Sequence, residues 1–376
     1  MRINIITRHA PANYGSILQA IATQKLIRDL GYDSEIVNYI PSFETTTRIA
    51  FTQLRSNDSW NGSPFKKLLY IMVNMPENWI SFKKFASMRS KYLKQGVLCH
   101  SLDDLKQEYK NDTESIYLTG SDQVWGFISN GKYDPAYFLD FAPKDASKIS
   151  FSSSFGKTEF SSRILKTYKA YLMKYSGISV REDSAVDLLH SMGLGAKQVL
   201  DPTLMLSSDE WKQYMKPIKT VKNMGKYILI YQIHNNPELD SYAKSFSQYT
   251  GLPLIRVSPL LHQIKRGGKF VYLPDISEFL SLINNTEYLI TDSFHGTSFA
   301  INFNKSFIEV LPNNDSSTRN LSILRLLGLT DRILMDANDM SFANKAIDYD
   351  TINVLLGKAR CEAKNTLKTL IDNVNI

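Results

Sequence analysis

The sequence predicts an α/β protein built from two Rossmann-like domains with a central cleft, and three observations lead there. Short apolar strands alternate with helix-length segments along the chain, the pattern of parallel sheets covered by crossover helices. Several strands run into Gly, Ser, Asp or His and then into a helix, which puts polar loops at the carboxyl ends of the strands. The chain has 376 residues, 43% hydrophobic and 22% charged, enough for two cores of ordinary globular composition.

The elements follow in order. Ile3–Thr7 reads as a strand leading into the loop Arg8 to Gly15. Ser16 and Gln19 have the Ser-x-x-Gln form of a capping box; Leu18, Ala22, Leu26 and Leu30 then recur at helical spacing up to a stop at Gly31. A second strand over Glu35–Tyr39 closes a βαβ unit. The segment Pro41 to His100 is less regular, aromatic and basic, as in Phe65-Lys66-Lys67-Leu68-Leu69 and Trp79-Ile80-Ser81-Phe82-Lys83-Lys84, and is expected to be helical. A basic amphipathic helix of this kind packs on its own domain or lies on a membrane surface. Strands at Ser115–Leu118, Lys148–Ser152, Gly177–Val180 and Gln198–Leu200, with a helix over 161–174, complete the first half, and Pro202 resets the register. The junction is placed within 207–223, giving domains 1–210 and 211–376. The second domain is expected to hold strands at Lys226–Gln232, Leu254–Val257, at Tyr288 and at Phe307–Leu311, with helices at Pro237–Thr250, Ile276–Asn284 and Asp350–Ile371.

Composition removes several function classes. The formal charge of +7 and pI near 9.0 point to an anionic partner. The Lys and Arg residues are dispersed and no recognition-module signature is present, so nucleic acid is not expected. Cys99 and Cys361 stand far apart without ligand-spaced neighbours, which supports neither a disulfide framework nor a metal site. Met1 to Ile6 already reads as a strand, and no apolar run nears the roughly 20 residues of a membrane helix. The expected location is the cytoplasm, with a peripheral position at the inner face of the membrane as its variant.

The most informative stretch runs from Leu289 to Ala300, where an apolar strand passes through Thr291-Asp292-Ser293-Phe294-His295-Gly296-Thr297 into a helix. In an open parallel sheet that position faces the ligand crevice, and the helix start offers N–H groups and a positive dipole end to an anion. Asp292 or Ser293 as a helix cap, with His295 a satisfied polar residue, is the plainer alternative.

Four blocks together resemble the polysaccharide pyruvyl transferase family: Asn13-Tyr14-Gly15-Ser16, Gly120-Ser121-Asp122-Gln123-Val124-Trp125, Ser179-Val180-Arg181-Glu182 with Asp201-Pro202-Thr203, and Thr291-Asp292-Ser293-Phe294-His295-Gly296. The resemblance implies transfer of a pyruvyl group from phosphoenolpyruvate, a co-substrate rather than a cofactor, to two hydroxyls of a sugar or lipid-linked oligosaccharide, in a fold similar to glycosyltransferase-B. On it, 211–376 is the donor side and 1–210 the acceptor side.

The chemistry of the residues can be set beside that implication. An enol phosphate carrying a carboxylate needs cationic forks, and Arg181 directly after an apolar strand offers one, unless it forms a structural ion pair with Glu182 or Asp183. His295 is the candidate proton carrier, because an imidazole titrates near neutrality and can donate and accept within one cycle. Asp292, Ser293, Gly296 and Thr297 are the candidate donor-binding residues around it. Where the family often carries an Arg two places before this His, the chain has Ser293; Arg8, Arg256, Lys265, Arg266 and Arg319 are the cations available to replace it. Asn13, Tyr14, Gly15, Asp122, Gln123 and Trp125 are the candidate acceptor-binding residues, with Trp125 either covering a sugar face or anchoring the core. Two other functions remain open: a glycosyltransferase of the same architecture using a nucleotide sugar, and a noncatalytic glycan-binding relative.

Overall fold

The computed structural model describes residues 1–55, 62–128, 131–216, 225–312 and 317–374. Within the sequence expectations, 56–61 of the aromatic, basic segment and 217–223 of the junction lie outside the described residues. The chain divides into two compact units, Met1–Pro202 with Glu362–Ile376, and Thr203–Cys361. The division therefore falls before the expected 210, and the last residues return to the first unit.

The first unit holds a six-stranded parallel sheet of β1 (Arg2–Ile6), β2 (Asp33–Ile36), β3 (Ile116–Thr119), β4 (Lys148–Ser153), β5 (Gly177–Val180) and β6 (Lys197–Gln198), in the order β2-β1-β3-β4-β5-β6. Strand order reverses between β1 and β3, and that switch point opens a crevice at their carboxyl ends. Ile6 lies opposite Thr119, so the two loops carrying the first two sequence blocks leave the sheet side by side.

Among the described residues four α-helices precede β3: α1 (Tyr14–Asp29), α2 (Thr46–Arg55), α3 (Pro64–Tyr92) and α4 (Leu102–Tyr109). α1 begins earlier than the Ser-x-x-Gln pattern suggested. Its N-cap is Asn13, whose Oδ1 accepts from the Gly15 N–H at 2.8 Å, and Ser16 sits inside the first turn. Its side chains from Tyr14 to Gln24 are buried, so the helix packs with little regard to a single face.

The second unit has a five-stranded parallel sheet of β7 (Ile228–Tyr231), β8 (Leu254–Ser258), β9 (Lys269–Tyr272), β10 (Tyr288–Thr291) and β11 (Ser306–Glu309), in the order β11-β10-β7-β8-β9. Its switch point lies between β7 and β10, where Tyr231 and Thr291 stand opposite each other. β9 was not anticipated; its four residues follow Gly267-Gly268 and read as part of a basic loop. Ile228, Ile230, Leu239, Phe246, Ile290 and Ile308 form one core layer between this sheet and the helix Pro237–Thr250.

The C-terminal helix Tyr349–Asp372 buries Ala363, Leu367 and Ile371, and Tyr32 Oη donates to Asp372 Oδ1 at 3.3 Å. Truncating either Leu367 or Ile371 to Ala is expected to destabilise the protein by about 2–5 kcal/mol. Urea unfolding checks this, with Lys368→Ala on the exposed face as the control expected within about 0.5 kcal/mol of the parent.

Candidate active site

In the first unit, three of the four sequence blocks are joined by one buried guanidinium. Arg181 Nη1 pairs with Asp201 Oδ2 at 2.8 Å, its Nε lies 3.7 Å from Glu182 Oε2, and its Nη2 lies 3.9 Å from Asp122 Oδ1. Ser121 Oγ donates to the same Asp201 oxygen at 2.8 Å, and Ser16 Oγ donates to Asp122 Oδ2 at 2.9 Å. Glu182 Oε1 accepts from Ser154 Oγ and from the Phe155 N–H. Burial by itself pulls the Arg181 pKa down; Asp201, Glu182 and Asp122 outweigh it and raise it. Asp122 adopts φ of 78°, a left-handed conformation that Asp tolerates better than most residues, so that its carboxylate turns toward Ser16 and Arg181.

These facts correct two expectations. Arg181 does not present a free fork to an anionic substrate, because its side chain is sealed and three carboxylates surround it; it positions the loops after β3, β5 and β6. Trp125 does not cover a sugar. It is fully buried, its indole N–H donates to Tyr137 O at 3.2 Å, and it stacks on Phe138. Tyr14 is likewise buried, with its ring 5.1 Å from that of Phe85, so it too is removed from the acceptor set. Asn13 and Gly15 form the cap of α1. Asp122 and Gln123 remain partly exposed, and Gln123 packs so closely on Gly156 that a Cβ there would meet its amide. His9 lies buried in the loop after β1, its pKa lowered to about 4 by burial, with the Arg89 charge acting in the same direction.

The second unit gathers the fourth block at its own switch point. Asp292 Oδ1 accepts from the Ile233 N–H at 2.8 Å and Oδ2 from the His234 N–H at 3.0 Å, with His234 Nδ1 at 3.3 Å. Asp292 therefore fixes the loop after β7, with the His234 ring beside it, and is not the cap of the helix Phe294–Asn302. Ser293 is that cap: its Oγ accepts from the Gly296 N–H at 3.3 Å. A Cβ at Gly296 would run into the Thr291 hydroxyl and stand 3.1 Å from the Tyr231 ring, so only glycine allows this helix to sit so close to the sheet. His295 occupies the first turn, 6% exposed, edge-on to Phe294 at 5.2 Å. Thr297 Oγ1 bonds Ser293 O at 3.2 Å and the carboxyl of Glu309, which also bonds Asn320. Burial, with the Asp292 charge adding to it, pushes the Glu309 pKa up to about 8. Thr297 and Ser293 are thus committed to the local network that holds the helix start.

The candidate replacement cations are distributed otherwise. Arg8 pairs with Glu44 at 2.8 Å in the first unit. Arg256 bonds Gln232 Oε1 at 2.7 Å and Asp240 Oδ1 at 2.6 Å, Arg266 reaches Asp240 and Asn235, Arg319 is buried one residue before Asn320, and Lys265 is exposed. Among the described residues no group of three or more His, Cys, Asp or Glu side chains is placed to hold a metal ion.

The family profile described as polysaccharide pyruvyl transferase matches residues 13–315, most of the chain and all four blocks. The chain belongs to the polysaccharide pyruvyl transferase family. It is accordingly a transferase, and its two parallel sheets place it among glycosyltransferase-B-type folds. An S. aureus MnaA–UDP co-structure is similar with a TM-score of 0.57 and 10% identity, covering 100% of this chain and 98% of that one. Trehalose-6-phosphate synthase OtsA gives a TM-score of 0.55 at 9% identity, covering 100% and 99%. UDP-GlcNAc 2-epimerase from Methanocaldococcus jannaschii gives 0.52 at 11%, covering 96% and 94%. At such identities the likeness is one of fold. A comparison with curated proteins finds no match.

His234 and Glu309 are the site residues that sequence reasoning missed. The signal for His234 was the same as for His295, a histidine just beyond an apolar strand; for Glu309 it was a lone charge inside Phe307-Ile308-Glu309-Val310-Leu311. Two outcomes follow from the geometry. Arg181→Met leaves three acidic groups without their counter-charge and is expected to destabilise the protein by about 3–5 kcal/mol, with Arg181→Lys milder, as read by denaturant unfolding without substrate. Glu309, held near pKa 8 when folded and at its ordinary 4.5 when unfolded, keeps a proton that the unfolded chain has lost. Its contribution to stability therefore declines as pH rises through that window and levels off above it. Glu309→Gln, which mimics the protonated acid, is expected to flatten the decline and to exceed the parent by on the order of a few kcal/mol at pH 8 but not at pH 5, measured by urea unfolding at the two pH values.

Proposed function

We propose that the protein moves the pyruvyl group of phosphoenolpyruvate onto two hydroxyls of a sugar in a cell-surface polysaccharide precursor, closing a cyclic ketal and releasing phosphate. The observation that carries this reading is the family match over residues 13–315. The second unit supports it: the positive end of the helix Phe294–Asn302 and two imidazoles, His295 and His234, sit at a sheet switch point, a suitable place for a small dianion or trianion.

One sugar hydroxyl adds to C2 of the enol phosphate while C3 takes a proton and becomes a methyl group. The C2–O bond to phosphorus then breaks on the carbon side, phosphate departs, and the second hydroxyl adds to C2. Of the two hydroxyl protons, one is balanced by the proton placed on C3 and the other leaves with phosphate. His295 is assigned the proton for C3, and His234, 3.3 Å from Asp292, the proton of the incoming hydroxyl. The donor is assigned to the second unit. Asp122 and Gln123 of the first unit are assigned to the acceptor, since they keep exposed surface where Tyr14 and Trp125 do not. A precursor of this kind, when lipid-linked, brings the enzyme to the inner face of the membrane.

The test combines binding and turnover. Phosphoenolpyruvate is expected to raise the melting temperature and nucleotide sugars are not. Phosphate release with a panel of glycans carrying 4,6- or 3,4-diols is expected to fall roughly 10²- to 10⁴-fold in His295→Gln. Stabilisation by a UDP-sugar alone would make this a nucleotide-sugar glycosyltransferase, and glycan binding without phosphate release would make it a noncatalytic relative.

A further inference from the structure

The pyruvyl-transfer chemistry leaves one feature of the first unit unused. α3 is 29 residues long, and its two ends behave differently. The C-terminal part is anchored: Phe85 and Met88 are buried, Phe85 meets the Tyr14 ring, and Arg89 Nη1 donates to Ala10 O at 2.9 Å. The N-terminal part carries Phe65, Leu68, Leu69, Met72, Met75 and Trp79 at helical spacing on one face, with exposures between 36% for Met75 and 75% for Phe65. Soluble monomers seldom leave a contiguous apolar stripe of that size facing water.

The charges around the stripe indicate what covers it. Lys66 and Lys67 lie at one end and Lys83 and Lys84 at the other, while Glu77 is the one acidic residue in the helix sequence. Lys83 Nζ sits 4.1 Å from the centre of the Trp79 ring, a pairing of aromatic body and cationic tip suited to a headgroup layer. Two copies of the face packed together would bring these lysines against one another, and protein interface cores are depleted in Lys. An anionic lipid surface instead complements both the stripe and its charged frame. Among the described residues no helix is long and apolar enough to cross a membrane, which leaves docking in the plane of the surface.

We propose that this face of α3 docks on an anionic bilayer, with the apolar stripe at the boundary of acyl chains and headgroups and the lysines on lipid phosphates. Through Phe85 and Arg89 the docked helix holds the loop after β1 and the start of α1, which form one wall of the first unit's switch point. That this brings a lipid-linked acceptor to the enzyme rests on the pyruvyl-transfer reading; the docking itself does not.

Co-sedimentation of the full-length protein with phosphatidylglycerol–phosphatidylcholine vesicles tests it without turnover. The parent is expected to bind in proportion to phosphatidylglycerol and to release at high salt, with a blue shift of tryptophan emission that Trp79→Phe removes. Lys83→Glu with Lys84→Glu is expected to weaken binding roughly tenfold or more, and Phe65→Ser with Met72→Ser to abolish it at unchanged circular dichroism. Absence of parent binding, or undiminished binding by the Phe65/Met72 variant, would overturn the proposal. So would a parent that elutes as a dimer and becomes monomeric in that variant, which would give the face to a second copy. Failure here with phosphate release from phosphoenolpyruvate intact sinks the docking alone, and the converse sinks the reaction alone.

Discussion

The first unit depends on how one guanidinium is buried. A charge taken out of water is tolerated only where opposite charges and hydrogen bonds replace the solvent, and Arg181 meets that condition through Asp201, Glu182 and Asp122. At an effective dielectric near 20, each carboxylate about 4 Å away attracts it by about 4 kcal/mol, so the position of Arg181 and those of its partners are mutually determined. Its partners leave the sheet after β3, β5 and β6, and Ser16 ties the start of α1 to the same cluster through Asp122. Residues more than 180 positions apart in the chain are thereby set at one sheet edge. With three acids around one base, the cluster has no charge to spare for an anionic ligand.

The second unit solves the same problem of fixing strand-end loops with less charge. Asp292 spends its oxygens on the main chain of the β7 loop, accepting from the Ile233 and His234 N–H groups, and so bridges the strands on either side of the switch point. Glu309 lies on the other side of β10, opposite Thr291 in register, too deeply buried to ionise readily. Thr297 Oγ1 donates to Glu309 and lies 3.2 Å from Ser293 O, so the chain of contacts ends at the residue that caps the helix of His295. Arginine holds the loops of one unit and a buried carboxyl the helix start of the other.

Much of this was legible in the sequence because it follows from local pattern. The helix Pro237–Thr250 and the strand Gly177–Val180 were read to the residue, since Asn236-Pro237 and Gly251 punctuate one and an apolar run between polar residues delimits the other. What local pattern cannot carry is which side of an element faces the core. Trp125 next to Asp122 and Gln123 suits a sugar site or an aromatic core equally well, and only the neighbours Phe138, Phe155 and Tyr175, all distant in sequence, decide for the core. Ser16 looked like a cap because its use by Asp122 spans 106 positions. For Arg181 the sequence showed the neighbouring acids Glu182 and Asp183; Asp122 and Asp201 join the cluster only in three dimensions.

The departure at Ser293 also has a structural logic. A side chain at that position that caps the helix must be short and must accept a hydrogen bond, which serine does and arginine does not. Fixing the first turn in this way leaves the block without a guanidinium, and the nearby Arg256 and Arg266 already share Asp240. On the proposed reaction, the positive charge for the donor then comes from the helix end rather than from a permanently charged fork.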